Sequence, residues 1–266
     1  GGADIDMVNY STAASGVTVN LSTVTAQNTG GAGTDTLIGI ENITGSNHAD
    51  TLTGDNNANR LLGGSGDVIL RGGDGADTLE GGVGDDNLYG ENGDDTINGG
   101  AGNDYIDGGS GTNTVSYSQS AGGVTVDLRT TTAQDTVGAG VDTLANIQNV
   151  IGSAQADILT GTDLANRLNG AVGADTLFGL GGNDHLEGGS NHDTLYGGDG
   201  DDTLDGGLHD DLIDGGAGND YASYASASAG VTVNLSIAGA QDTVNAGIDT
   251  LVSIENLRGS NFNDTL

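Results

Sequence analysis

Apolar residues come singly along much of this chain. Leu79, Leu88, Ile97 and Ile106 recur every nine residues, each two positions after an Asp (Asp77, Asp86, Asp95, Asp104) and each soon followed by glycine. Residues two apart in an extended segment share a face, so Asp77 and Leu79 look to one side while Thr78 and Glu80 look to the other. Each nine-residue unit therefore predicts a glycine turn leading into a short strand that carries one core residue. A second pattern, Val17-Thr18-Val19-Asn20-Leu21 followed by Leu37, Ile40 and Ile43, alternates with period two and also predicts strands.

The nine-residue period sits inside a longer one. The segments VNYSTAASGVTVNL, VSYSQSAGGVTVDL and ASYASASAGVTVNL begin at 8, 115 and 222, so Tyr10, Tyr117 and Tyr224 stand 107 residues apart. Asp50, Asp157 and Asp264 keep the same offset. The periods predict residues 1–44 as the end of a module with its non-nonapeptide coils, 45–115 as a first nonapeptide block and 116–151 as intervening coils. A second block follows over 152–223, then further coils and the start of a third block over 224–266. The expected whole is one continuous solenoid with a 107-residue super-repeat, cut as a window from a longer array.

Units such as Gly72–Glu80, Gly81–Tyr89, Gly99–Asp107 and Gly197–Asp205 fit G-G-x-G-x-D-x-U-x at every fixed position. On these residues the chain resembles the RTX family of secreted bacterial proteins, whose nonapeptide binds calcium. The resemblance implies an all-β fold, a parallel β-roll or β-solenoid with Ca²⁺ bound in the turns between coils of about eighteen residues. It also implies export by a type I route.

Composition points the same way. The 266 residues hold 51 Gly and 38 acidic side chains, only five of them Glu, against five Arg, no Lys, no Pro and no Cys, giving a net charge of −33. So little apolar surface cannot offset chain entropy unaided. Without cysteine the staple must be oxygen-ligated metal, and the short Asp carboxylate suits hard cations in tight turns. The acidity excludes nucleic acid and anionic membrane surfaces, and no apolar run is long enough to insert in a membrane.

In the turn, Gly73 and Gly75 let the backbone bend and aim carbonyl oxygens inward, and Asp77 supplies charge. Gly82, Gly84 and Asp86 play the same parts, as do Gly100, Gly102 and Asp104, and Gly198, Gly200 and Asp202. Taking the eighteen-residue coil from the resemblance sorts the carboxylates into ladders. The first block reads Asp50, Val68, Asp86, Asp104 on one edge and Asn59, Asp77, Asp95, Asn113 on the other. The second reads Asp157, Asp175, Asp193, Asp211 and Asn166, Asp184, Asp202, Asp220, and so is expected to bind more calcium. Val68 cannot ligate, the Asn residues keep an oxygen without charge, and Asn191 and His209 stand where their turns should have glycine.

No catalytic site is expected. Lysine and thiol chemistry are excluded, no H-E-x-x-H, G-x-S-x-G or EF-hand spacing occurs, and every Asp pair follows the repeat register. The four His are expected on the surface, with His192 and His209 close enough on adjacent coils to suggest a transition metal. The Tyr of each module is expected to pack at a wider coil. An ice-binding Thr face is interrupted by Asn87, Tyr105 and His185. The expected role is a calcium-binding structural segment of a secreted or cell-surface protein, a scaffold, adhesin, surface-layer or filament piece. Its expected partners are calcium ions, with copies of itself end to end or extracellular glycans as further candidates. The alternative is a calcium-folding accessory region of a secreted hydrolase or polysaccharide-modifying enzyme.

Overall fold

The computed structural model describes residues 1–266 and contains strands but no helix. The chain forms two units, residues 1–117 with 130–147 and residues 118–129 with 148–266.

In the first unit, successive strands alternate between two parallel rows. Arg60–Ser65 lies in one row, Ile69–Asp74 in the other, and Thr78–Val83 returns to the first. The registers pair Leu61 with Leu79 and Leu79 with Ile97, and on the other side Leu70 with Leu88 and Leu88 with Ile106. One circuit thus takes eighteen residues, as the nine-residue period predicts, and the unit is a parallel β-roll. Each circuit needs two sharp corners. Gly73 and Gly75 make one with φ of +114° and +117°, where a Cβ on Gly75 would lie 2.6 Å from the Asn57 carbonyl carbon of the coil before.

Leu61, Leu79, Ile97 and Val115 from one row face Leu52, Leu70, Leu88 and Ile106 from the other, all with no exposed surface. Each such side chain contributes roughly 1.5–3 kcal/mol by leaving water. The second unit repeats the plan, with Leu168, Leu186 and Leu204 against Leu159, Leu177, Leu195 and Ile213. Outward positions carry the polar and aromatic residues. Phe178 stacks on Tyr196 with ring centres 5.1 Å apart, and Arg71 lies 4.3 Å over the Tyr89 ring.

The stretch between the blocks is not a run of plain coils. Within the second unit Thr125–Asp127 pairs in parallel with Ile158–Thr160, whereas within the first Gln134–Asp135 folds back antiparallel on Val141–Ala145. The turn of this hairpin is held by Thr136 N–H donating to Gly140 O at 2.8 Å, with Val137 and Gly140 both at positive φ. Ala240–Asp242 and Ile248–Val252 form the same hairpin in the second unit, and Gln27–Gly30 with Gly33–Asp35 in the first. Strand alternation points Asp142 and Leu144 inward together.

Candidate metal centre

The sixth residue of each nonapeptide ends its turn and begins its strand, so its side chain enters the roll beside the corner. There the aspartates form ladders with an eighteen-residue step. Asp77 N–H donates to Asp95 Oδ1 at 2.8 Å, and Asp86 N–H to Asp104 Oδ1 at 2.9 Å. In the second unit Asp157, Asp175 and Asp193 N–H donate to Oδ1 of Asp175, Asp193 and Asp211 at 2.8–2.9 Å. On the opposite edge Asp184 and Asp202 donate to Asp202 and Asp220 at 2.7 and 2.8 Å. Oδ1 of each is thereby satisfied.

Oδ2 is not. In Asp77, Asp86, Asp95, Asp104, Asp175, Asp184, Asp193, Asp202, Asp211 and Asp220 this oxygen is buried and accepts no hydrogen bond. An unpartnered buried carboxylate oxygen is costly, and a series of ten in register requires a common partner. Four of the five Arg pair with Glu80, Glu91, Asp127 and Glu187 at partly exposed positions, so protein cations do not supply it.

The first glycine of the motif shows where a partner fits. A Cβ on Gly72 would fall 2.7 Å from the Gly90 carbonyl oxygen, in the next coil, and closer still to Asp77 Oδ2. The same convergence surrounds Gly81 (Asp86 Oδ2, Gly99 O), Gly90 (Asp95 Oδ2, Gly108 O), Gly179 (Asp184 Oδ2, Gly197 O), Gly188 (Asp193 Oδ2, Gly206 O) and Gly197 (Asp202 Oδ2, Gly215 O). A charged oxygen and a carbonyl from adjacent coils thus face one small space that any side chain would fill. No three His, Cys, Asp or Glu side chains gather at one point, so a cation here depends on carbonyls as much as on carboxylates. Such an all-oxygen donor set suits Ca²⁺.

Electrostatics agree. Burial, offset in part by the backbone N–H and reinforced for most by neighbouring carboxylates, pushes Asp77, Asp86 and Asp193 up to about 6. It pushes Asp104, Asp175 and Asp184 up to about 7 and Asp211 up to about 8. Asp95, Asp202 and Asp220 are raised for the same reason.

The turn glycines Gly73, Gly75, Gly82, Gly84, Gly100, Gly102, Gly198 and Gly200 all adopt positive φ beside these cradles. Asn191 and His209 hold the same corner at φ +84° and +82°, so those turns persist without glycine. At Gly63 the cradle is apolar, because the Val68 methyls stand 2.7 and 3.3 Å from the Cβ position, where the aspartate-bearing turns place a carboxylate oxygen.

Asp50 and Asp157 are placed differently from the other aspartates. Ser46 and Ser153 donate their N–H to Oδ2 and their hydroxyl to Oδ1, and Val17 and Val124 N–H also reach Oδ1. These carboxylates are closed by protein. Asn59 and Asn166 are closed likewise, donating Nδ2 to Glu41 O at 2.9 Å and Gln148 O at 2.7 Å. At the far end of one edge, Asp142 accepts Asp104 N–H on Oδ1 and Tyr117 and Thr136 hydroxyls on Oδ2. Asp249 accepts Asp211 N–H and the Thr243 hydroxyl in the same way. Sequence reasoning missed these caps. Their signal is a Ser, Asp or Thr at the second position of the opening units (Ser46, Asp55, Ser153, Thr162), which replaces a glycine and donates to the Asp or Asn four residues on.

The family model of the RTX calcium-binding nonapeptide repeat (4 copies) matches residues 53–88, 80–115, 151–186, 160–195 and 187–222, together half of the chain. A search of curated proteins finds no match.

Proposed function

Because this chain belongs to the RTX calcium-binding nonapeptide repeat family, we propose that it serves as a calcium-stiffened structural segment of a secreted or cell-surface protein and performs no chemistry of its own. The observation that carries this reading is the register of ten buried aspartates whose second oxygen has no protein partner. Those oxygens and the glycine carbonyls facing them would hold the ions, and bound Ca²⁺ would supply the positive charge the ladders lack. The use of Oδ1 along each ladder to join one coil to the next supports a structural rather than a catalytic role for these carboxylates. Binding free energy then becomes folding free energy. Where Ca²⁺ is scarce, a net charge of −33 keeps the chain expanded and fit for export. At millimolar Ca²⁺ outside the cell, the ladders fill and the roll forms.

Small-angle scattering tests this. In chelator the radius of gyration is expected near the unfolded scaling value of about 57 Å for a chain this long, falling well below it when CaCl₂ is added. A chelated chain already as compact as the calcium-loaded one would refute the role.

A further inference from the structure

We propose that His192 and His209 form a transition-metal clamp across two successive turns of the second unit, distinct in donor chemistry from the calcium ladder. The two residues break the repeat. His209 takes a fourth-position glycine's place at φ +82°, a conformation side chains rarely adopt, and His192 follows Asn191, which does the same at φ +84°. Both are exposed, on turns eighteen residues apart, and their rings meet edge to face with centres 6.1 Å apart.

Nδ1 of each imidazole lies against backbone groups of the turns. His192 Nδ1 lies 3.0 Å from Asp210 O, and His209 Nδ1 lies 2.9 Å from Leu208 O. These contacts are shorter than the approaches of Asp210 N–H at 3.3 Å and Asn191 N–H at 3.2 Å to the same nitrogens. With the proton on Nδ1, each ring donates to that backbone carbonyl and presents the Nε2 lone pair. That is the outer-shell arrangement that orients a metal-binding imidazole. Neither Nε2 has a protein partner, unlike that of His185, which pairs with Glu187 Oε1 at 2.9 Å. A metal about 2.0–2.1 Å from each Nε2 in tetrahedral geometry would set the ring centres about 5 Å apart. Rotation of two exposed side chains closes that gap. Imidazole selects a borderline cation such as Zn²⁺ or Ni²⁺ over Ca²⁺, and the Asp193 carboxylate lies near enough to act electrostatically on both rings.

The test is calorimetric titration of ZnCl₂ into the chain held in saturating CaCl₂, with ¹⁵N shifts of the imidazole nitrogens recorded alongside. One site per chain is expected, shifting Nε2 but not Nδ1 of His192 and His209. It should weaken at least tenfold in His192→Ala and in His209→Ala and stay unchanged in a His48→Ala, His185→Ala double variant. Calcium-induced circular dichroism confirms that each variant folds. Zinc binding as strong in a His192→Ala, His209→Ala double variant as in the parent, or shifts confined to other residues, would overturn the clamp.

Discussion

At the scale of the residue, the difference between an open and a closed carboxylate decides what each Asp does. Asp193 and Asp157 occupy equivalent ladder positions, yet Asp193 Oδ2 is unpartnered while both oxygens of Asp157 accept from Ser153. Asp193→Asn should therefore raise the calcium midpoint of folding at least several-fold, and Asp157→Asn should leave it nearly in place while costing about 1 kcal/mol of stability in saturating calcium. Calcium titrations followed by circular dichroism separate the two. Val68→Asp should do the reverse of Asp193→Asn, completing the ladder from Asp50 to Asp86 and adding bound calcium, countable by calorimetry. Protons act on these oxygens too. Folding raises Asp77, Asp104 and Asp211 from 3.8 to about 6, 7 and 8, so the calcium-free roll binds protons that the unfolded chain releases. That contribution is fully present below about pH 4 and is lost as pH rises through 6 to 8. In chelator, acidification from pH 8 to 5 should accordingly bring a gain of β circular dichroism from the unfolded chain, while the calcium midpoint at fixed temperature worsens because protons compete for the ligands.

At the scale of the element, a coil is stable because its neighbours cover it, and the ladders end where protein groups replace the ion. Leu79→Ala empties a fully buried rung between Leu61 and Ile97 and should cost about 2–5 kcal/mol in calcium. Tyr117→Phe removes one hydroxyl from Asp142 Oδ2 and should lower stability by about 1–3 kcal/mol, read as a melting-temperature drop in saturating calcium. The coil was legible in the sequence because its two determinants are local: a glycine turn and an Asp-x-Leu strand, repeated at nine. The caps were not. Ser46, standing in place of the second glycine, is the one local mark of the cap on Asp50, whose remaining donor, the Val17 N–H, arrives from 33 residues away. The hairpin 134–145 was hidden for a similar reason, since its alternation is that of any strand and its direction depends on the turn at Val137 to Gly140. Tyr117 was expected to pack, and it does, but its hydrogen bond to Asp142 spans 25 residues.

At the scale of the whole molecule, 38 acidic and five basic side chains make folding a question of charge before it is one of apolar burial. Single-file Leu and Ile rows provide a core one residue wide per strand, and bound calcium converts the repulsion along the ladders into attraction between coils. The Mg²⁺ ion, which demands near-octahedral geometry and sheds its water reluctantly, fits these carbonyl-lined cradles poorly. Far-ultraviolet circular dichroism of the 266-residue chain, titrated with CaCl₂ from a chelated start and with MgCl₂ in parallel, addresses this directly. A cooperative gain of β signal with Ca²⁺ and none with Mg²⁺ is expected. A chelated chain already fully folded and indifferent to Ca²⁺ would contradict calcium-driven folding and leave the ten unpartnered oxygens without a purpose.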